Sequence, residues 1–187
     1  MDLSKITLPS SVEVEGIFYP IKTDFRYWLM FARLLEDEKA VIDEADFLYE
    51  GLIPQDKKEG FNKLVEFYSP KKELPRNLGG SSGEKVIDYD IDADYIYAAF
   101  MEVYGIDLMA TDKQGKIIPM HWHKFLALFS ALHDTKLNEI IGYRSYDEND
   151  KTEYKDNLKK LKQMWALPRK LTEKDQEDLN KFNALFN

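Results

Sequence analysis

The 187-residue sequence contains no cysteine, which excludes disulfides, thiolate metal sites and a cysteine nucleophile and leaves nothing that argues for an oxidising compartment. Long apolar runs are missing too: no stretch approaches the ~18 residues that a membrane span requires. The opening residues, MDLSKITLPSSVEVEG, lack the basic start and apolar middle of an export signal. The expectation is a soluble chain in a reducing cytoplasm that neither crosses nor binds a membrane. Basic charge is short as well, with 26 Lys and Arg against 34 Asp and Glu for a net charge of −8. Such a surface repels polyanions unless a basic patch is segregated from it. The one candidate patch is Lys151 to Lys170. Residues 148–187 hold nine basic against eight acidic side chains, net +1, which leaves −9 for residues 1–147. The lysines there alternate with Glu153 and Asp156, so this stretch reads as the solvated face of a helix and no nucleic-acid partner is expected.

The chain is rich in material for a core, 44% hydrophobic and 13% aromatic, enough for a domain of this length to fold without staples. Val12-Glu-Val14, then Glu15-Gly16, then Ile17 to Ile21 reads as a short hairpin, with Pro20 ending its second strand or holding it at an edge. Asp24 is placed to cap a helix carrying Phe25, Trp28, Leu29, Ala32 and Leu35. Asp43 to Leu52 predicts a short helix closed by Gly51 and Pro54. A third helix aligns Phe61, Leu64, Val65 and Tyr68 and stops before Pro70. Residues 70–87 are poor in apolar periodicity and open with PKKELPRNLGGSSGEK, which predicts a flexible linker.

Beyond it, Asp92 and Asp94 favour a helix start, Ile96, Ala99, Phe100, Val103 and Tyr104 share one register, and Gly105 supplies the stop. Pro119 suits a first helical position, followed by Trp122, Phe125, Leu126, Phe129 and Leu132. These two helices are expected to pair antiparallel. A shorter helix over Asp134 to Tyr143 leads to Tyr154, Leu158, Leu161 and Trp165, a narrow apolar stripe that ends by Pro168. A last helix is expected to open at Thr172. The predicted fold is mainly α, a helical bundle with a small N-terminal β-hairpin. It forms one domain over residues 1–187, with hairpin and helices in 1–69, the linker in 70–87 and helices in 88–187.

No constellation predicts catalysis or a cofactor. Asp88, Asp90, Asp92 and Asp94 alternate as in a calcium loop, but counted from Asp88 the sixth position is Ala93 where glycine is needed and the twelfth is Ala99 where a bidentate glutamate is needed. His121 and His123 face ~200° apart if both lie in a helix and then share no metal, and His133 completes no triad. Gly79 to Gly83 lacks the Lys-Ser/Thr of a phosphate cradle. Arg26, Arg33 and Arg144 sit among aromatics, where a guanidinium holds neighbouring elements in register by pairing and stacking.

Tyr19-Pro-Ile21, Asp24-Phe-Arg26, Trp28, Asp92-Ala-Asp-Tyr-Ile96, Ala99-Phe100, Tyr104-Gly-Ile-Asp-Leu108, His121-Trp122, Phe125 and Gly142-Tyr-Arg144 occur in an order and spacing that resembles a family of small bacteriophage proteins. These are encoded in the tail modules of long-tailed phages and prophages of low-GC Gram-positive bacteria, between the major tail protein and the tape-measure protein. The likeness runs from about residue 8 to residue 146. It implies a non-enzymatic tail-assembly chaperone in the host bacterial cytoplasm that keeps the tape-measure protein soluble before the tail tube polymerises. A structural tail component retained in the virion, a connector or tube terminator, is the alternative. The expected partners are the tape-measure protein and other tail proteins, with self-association left open. The best-placed client surface is the terminal stripe Leu179, Phe182, Leu185 and Phe186, because chain ends are held least tightly.

Overall fold

A computed structural model describes residues 7–37, 39–69, 85–149 and 152–168. The chain divides into two compact units, one made of Met1–Asn77 with Asp92–Glu139 and the other of Leu78–Ile91 with Ile140–Asn187. The fold is mainly α, with a two-stranded antiparallel hairpin at its N-terminal end.

In the first unit, β1 (Ser11–Val14) pairs with β2 (Ile17–Pro20) in the register Val14↔Ile17. The two-residue loop needs positive φ at both positions to match the strand twist, and Glu15 and Gly16 have φ of +51° and +81°. Val12 and Val14 are buried on the strand that packs against α2 (Lys57–Tyr68). The second strand ends at Pro20, as the missing amide dictates.

α1 (Phe25–Glu36) is capped by Asp24, whose side chain accepts from the Arg26 amide. Its buried stripe is Phe25, Trp28, Phe31 and Ala32. Phe31 replaces the expected Leu35, which lies exposed at the end of the helix. The helix expected over Asp43–Leu52 is a 3₁₀ helix, Ile42–Leu48. It ends early because the chain is drawn into extended pairing with β2: Lys22 N–H donates to Leu48 O and Glu50 N–H to Pro20 O, flanking an Ile21↔Tyr49 bridge.

α3 (Ala93–Tyr104) buries Ile96, Ala99 and Phe100 and stops at Gly105, which takes the left-handed conformation at φ +62°. α4 (Trp122–Ser130) begins three residues later than Pro119 suggests. The cause is tertiary: Met120 is held extended, its N–H on Asp24 Oδ2 and its carbonyl receiving Phe25 N–H. α3 and α4 touch through Phe100 on Phe125 and the Tyr104 hydroxyl on Leu128 O. These contacts advance the same way along both helices, unlike the opposed order of the expected antiparallel pair.

α5 (Lys136–Arg144) spans the division between the units. It starts two residues after Asp134, which is turned out of helical geometry at φ +54°. Thr135 Oγ1 then receives the Asn138 amide. In the second unit, α6 (Lys155–Trp165) has no buried residue. Buried Arg144 organises that unit, donating through Nε to Trp165 O (2.6 Å) and through Nη1 to Val86 O (3.1 Å). Of the linker expected over 70–87, residues 70–84 lie outside the described residues, and Val86 at its far end is buried under this contact.

Candidate functional site

Several of the words that carry the resemblance, Asp24-Phe-Arg26, Tyr104 to Leu108 and His121-Trp122 with Phe125, meet in the first unit at the junction between the starts of α1 and α4. Asp24 is its hub. One carboxylate oxygen accepts from the Arg26 amide (3.1 Å), the other from the Met120 amide (2.9 Å), and Arg26 Nη1 donates to both at 2.9 and 2.8 Å. Arg26 Nη2 donates to Leu108 O, and the guanidinium lies 4.6 Å from the Phe25 ring centroid. One ion pair therefore ties α1 to the segment after α3 and to the chain entering α4. This is the register-holding role expected of an arginine set among aromatics.

Behind the pair lies a stack of rings. Phe125 stacks on Phe25 (4.6 Å) and Phe100 (5.2 Å), Trp122 on Tyr68 (5.2 Å), and Trp28 on Phe67 (4.6 Å). Both buried indoles donate to backbone carbonyls, Trp28 to Lys22 O and Trp122 to Tyr68 O, so no polar atom of either ring is left to engage a ligand. These residues hold the fold.

The histidines depart from expectation in one respect. Because α4 starts at Trp122, His121 is extended, and its ring comes within 5.2 Å of that of His123. They are nonetheless spent on structure. His121 Nδ1 accepts from the His123 amide while its Nε2 donates to Pro9 O, and His123 Nε2 donates to Phe67 O. Three ligating nitrogens are thus committed to the backbone.

The acidic run is likewise capping chemistry. Asp88 Oδ1 accepts from the amides of Asp90 and Ile91, and Oδ2 pairs with Lys85 at 2.8 Å. Partial burial pushes the Asp88 carboxyl up, but the Lys85 ammonium and the two amides outweigh it and hold the pKa at about 2. Among the described residues the carboxylates of Glu15, Asp56 and Glu59 lie close enough together to face one cation. Glu15 and Asp56 are exposed, and Asp56 already caps α2 by accepting from the Glu59 amide.

A shallow concavity lies between the 3₁₀ helix and α2, lined by Ala45, Tyr49, Pro54, Gly60 and Leu64. Sequence reasoning did not find it. The Tyr49 hydroxyl is buried there without a hydrogen-bond partner. Burial first, then the charge of Asp46 and neighbouring Tyr19, raises its pKa to about 12. Gly60 is what admits the ring: a Cβ there would sit 2.8 Å from the Tyr49 oxygen and 3.1 Å from Pro54 Cγ. The proposed client residues Leu179, Phe182, Leu185 and Phe186 lie outside the described residues.

The family model for the bacteriophage Gp15 protein matches residues 5–167. The chain belongs to that family. The match passes through α6, whereas the legible resemblance stops at residue 146; a lysine-rich helix with a narrow apolar stripe offers few distinctive residues to recognise. No curated protein and no solved structure matches the chain. The words read in the sequence fall on the ion pair, the ring stack and the Arg144 contact, so what these residues specify in this chain is architecture. No helix among the described residues is long and apolar enough to cross a membrane.

Proposed function

We propose that this Gp15 family protein is a non-enzymatic tail-assembly chaperone, encoded in the tail module of a phage or prophage of a Gram-positive host. In the host cytoplasm it covers the apolar stripes of the tape-measure protein until tube subunits polymerise around it. The observation that carries this reading is the set of soft apolar side chains left in solvent. Of the six methionines, Met30, Met101, Met109 and Met164 are 48, 43, 61 and 73% exposed. Exposed apolar neighbours also occur in pairs, Ile17-Phe18, Leu52-Ile53 and Ile117-Ile118. Flexible, polarisable methionine suits a surface that must accept many similar helical stripes without demanding one shape. The acidic exterior keeps such a surface soluble, alone and with its client.

Co-expression with the long helical tail protein of the same phage tests this. The client is expected to become soluble and to co-purify, and Met101→Asp with Met109→Asp is expected to reduce co-purification at an unchanged melting temperature. A chain ending at residue 170 tests the terminal candidates Leu179, Phe182, Leu185 and Phe186 in the same assay. A client equally soluble and unbound without this chain would falsify the reading. Stoichiometric copies in purified virions, measured by mass spectrometry, would replace it with that of a tail component.

A further inference from the structure

The second unit carries the clearest segregated positive charge in an acidic molecule. α6 has four lysines, Lys155, Lys159, Lys160 and Lys162, against one acid, Asp156, a net of +3. Its apolar line of Leu158, Leu161 and Trp165 is only half covered, and Met164 stands in solvent. Glu148 pairs with Lys159 at 2.9 Å, and Lys162 donates to Tyr146 O. These contacts fix one edge of the helix and leave Lys155 and Lys160 exposed.

The first unit offers the opposite surface. At the end of α1 and the entry to the 3₁₀ helix the chain is folded back by Ala40 N–H on Asp37 O and Glu44 N–H on Val41 O. This stretch exposes Leu35, Val41 and Ile42 and, among its described residues, the carboxylates of Asp37, Asp43 and Glu44. It carries apolar side chains and negative charge close together along the chain. α6 presents an apolar line with ammonium groups beside it.

We propose that α6 of one copy docks on the surface carrying Leu35, Val41, Ile42, Asp43 and Glu44 of a second copy, so that the protein self-associates through unlike surfaces. A polyanion would meet the lysines but leave the apolar line in water, and the net charge of −8 would oppose it. A second copy satisfies both chemistries. Self-repulsion between whole molecules does not prevent this, because at physiological salt charges beyond about 8 Å are screened while contacting pairs are not. Opposite charges at the rim also fix which surfaces meet. This inference does not rest on the tape-measure reading and is tested without a client.

Sedimentation velocity on the full chain at about 0.15 M salt is expected to show concentration-dependent association. Lys155→Glu with Lys160→Glu, and separately Asp43→Lys with Glu44→Lys, are each expected to weaken it at least tenfold, with far-UV circular dichroism unchanged. An equal mixture of the two variants is expected to restore it, since each then supplies the face the other lacks. Zero-length carboxylate–amine cross-linking of the wild type is expected to join Lys155 or Lys160 to Asp43 or Glu44 between copies, a readout that survives if a variant fails to fold. A wild type that stays monomeric, variants that associate like it, or a mixture that does not recover would each overturn the proposal. Binding of duplex DNA by a monomeric chain would do the same.

Discussion

Tyr49 and Gly60 form a pair whose cost is readable atom by atom. A buried hydroxyl without a partner forfeits its hydration, a loss of about 1–3 kcal/mol, so Tyr49→Phe is expected to raise stability by about 1 kcal/mol in thermal or denaturant unfolding. Gly60→Ala gains about 1 kcal/mol of helix propensity but drives its methyl into the Tyr49 oxygen, 2.8 Å away, and overpacking costs about 1–3 kcal/mol. Alone it is expected to destabilise; with Tyr49→Phe it is expected to become neutral or favourable. Additive effects in that double-mutant cycle would show that the two groups do not meet. At Asp88 the folded pKa of about 2 lies below the usual 3.8. A depressed carboxylate stabilises the fold above its unfolded pKa and loses that contribution as pH falls through the folded value. Asp88→Asn is therefore expected to flatten the stability profile between about pH 4 and pH 2 and to leave its shape above pH 5 unchanged. The contribution is under about 1 kcal/mol, as for other solvent-screened pairs.

Elements with local signals were legible in the sequence. The hairpin turn at Glu15-Gly16, the Asp24 cap and the Gly105 stop are each specified by residues within a few positions of where they act. The errors cluster where distant backbone intervenes. Pairing with Pro20 and Lys22 cuts the 3₁₀ helix short, and the Asp24–Met120 bond delays α4 past Pro119. No local pattern reports a hydrogen bond across 96 residues. The candidate site was legible in the same uneven way: Arg26 and Arg144 were placed correctly as organisers, while the Tyr49 concavity needs Gly60, Pro54 and the 3₁₀ helix brought together in space. At the junction of α1 and α4, Asp24→Ala removes a helix cap worth about 1 kcal/mol and strips a largely covered arginine of its partner. The expected loss is about 3 kcal/mol. Asp24→Asn loses the charge and, because its amide nitrogen cannot accept, keeps only one of the two contacts, the cap to the Arg26 amide or the bond from the Met120 amide; it is expected to lose less than Asp24→Ala. Equal losses for the two variants would assign the effect to the ion pair and the forfeited acceptor together.

At the scale of the whole molecule, Gp15 family membership rests on a match that covers both units, from residue 5 to residue 167. Apolar side chains facing water are scattered over strands, turns and helices of both units. The sequence pattern could not locate a binding face, because a buried stripe and an exposed one look the same until burial is known.

The first unit is stitched from two stretches, Met1–Asn77 and Asp92–Glu139, and its hub joins Asp24 to Met120. During synthesis, therefore, the early helices leave the ribosome with Trp28, Phe31 and Phe67 uncovered and wait for Trp122 and Phe125 to emerge. Non-local closure of this kind is slow and leaves apolar surface open meanwhile. Nascent chains stalled at residue 115 are expected to be digested readily by protease, and chains stalled beyond residue 180, once α4 has cleared the exit tunnel, to resist it.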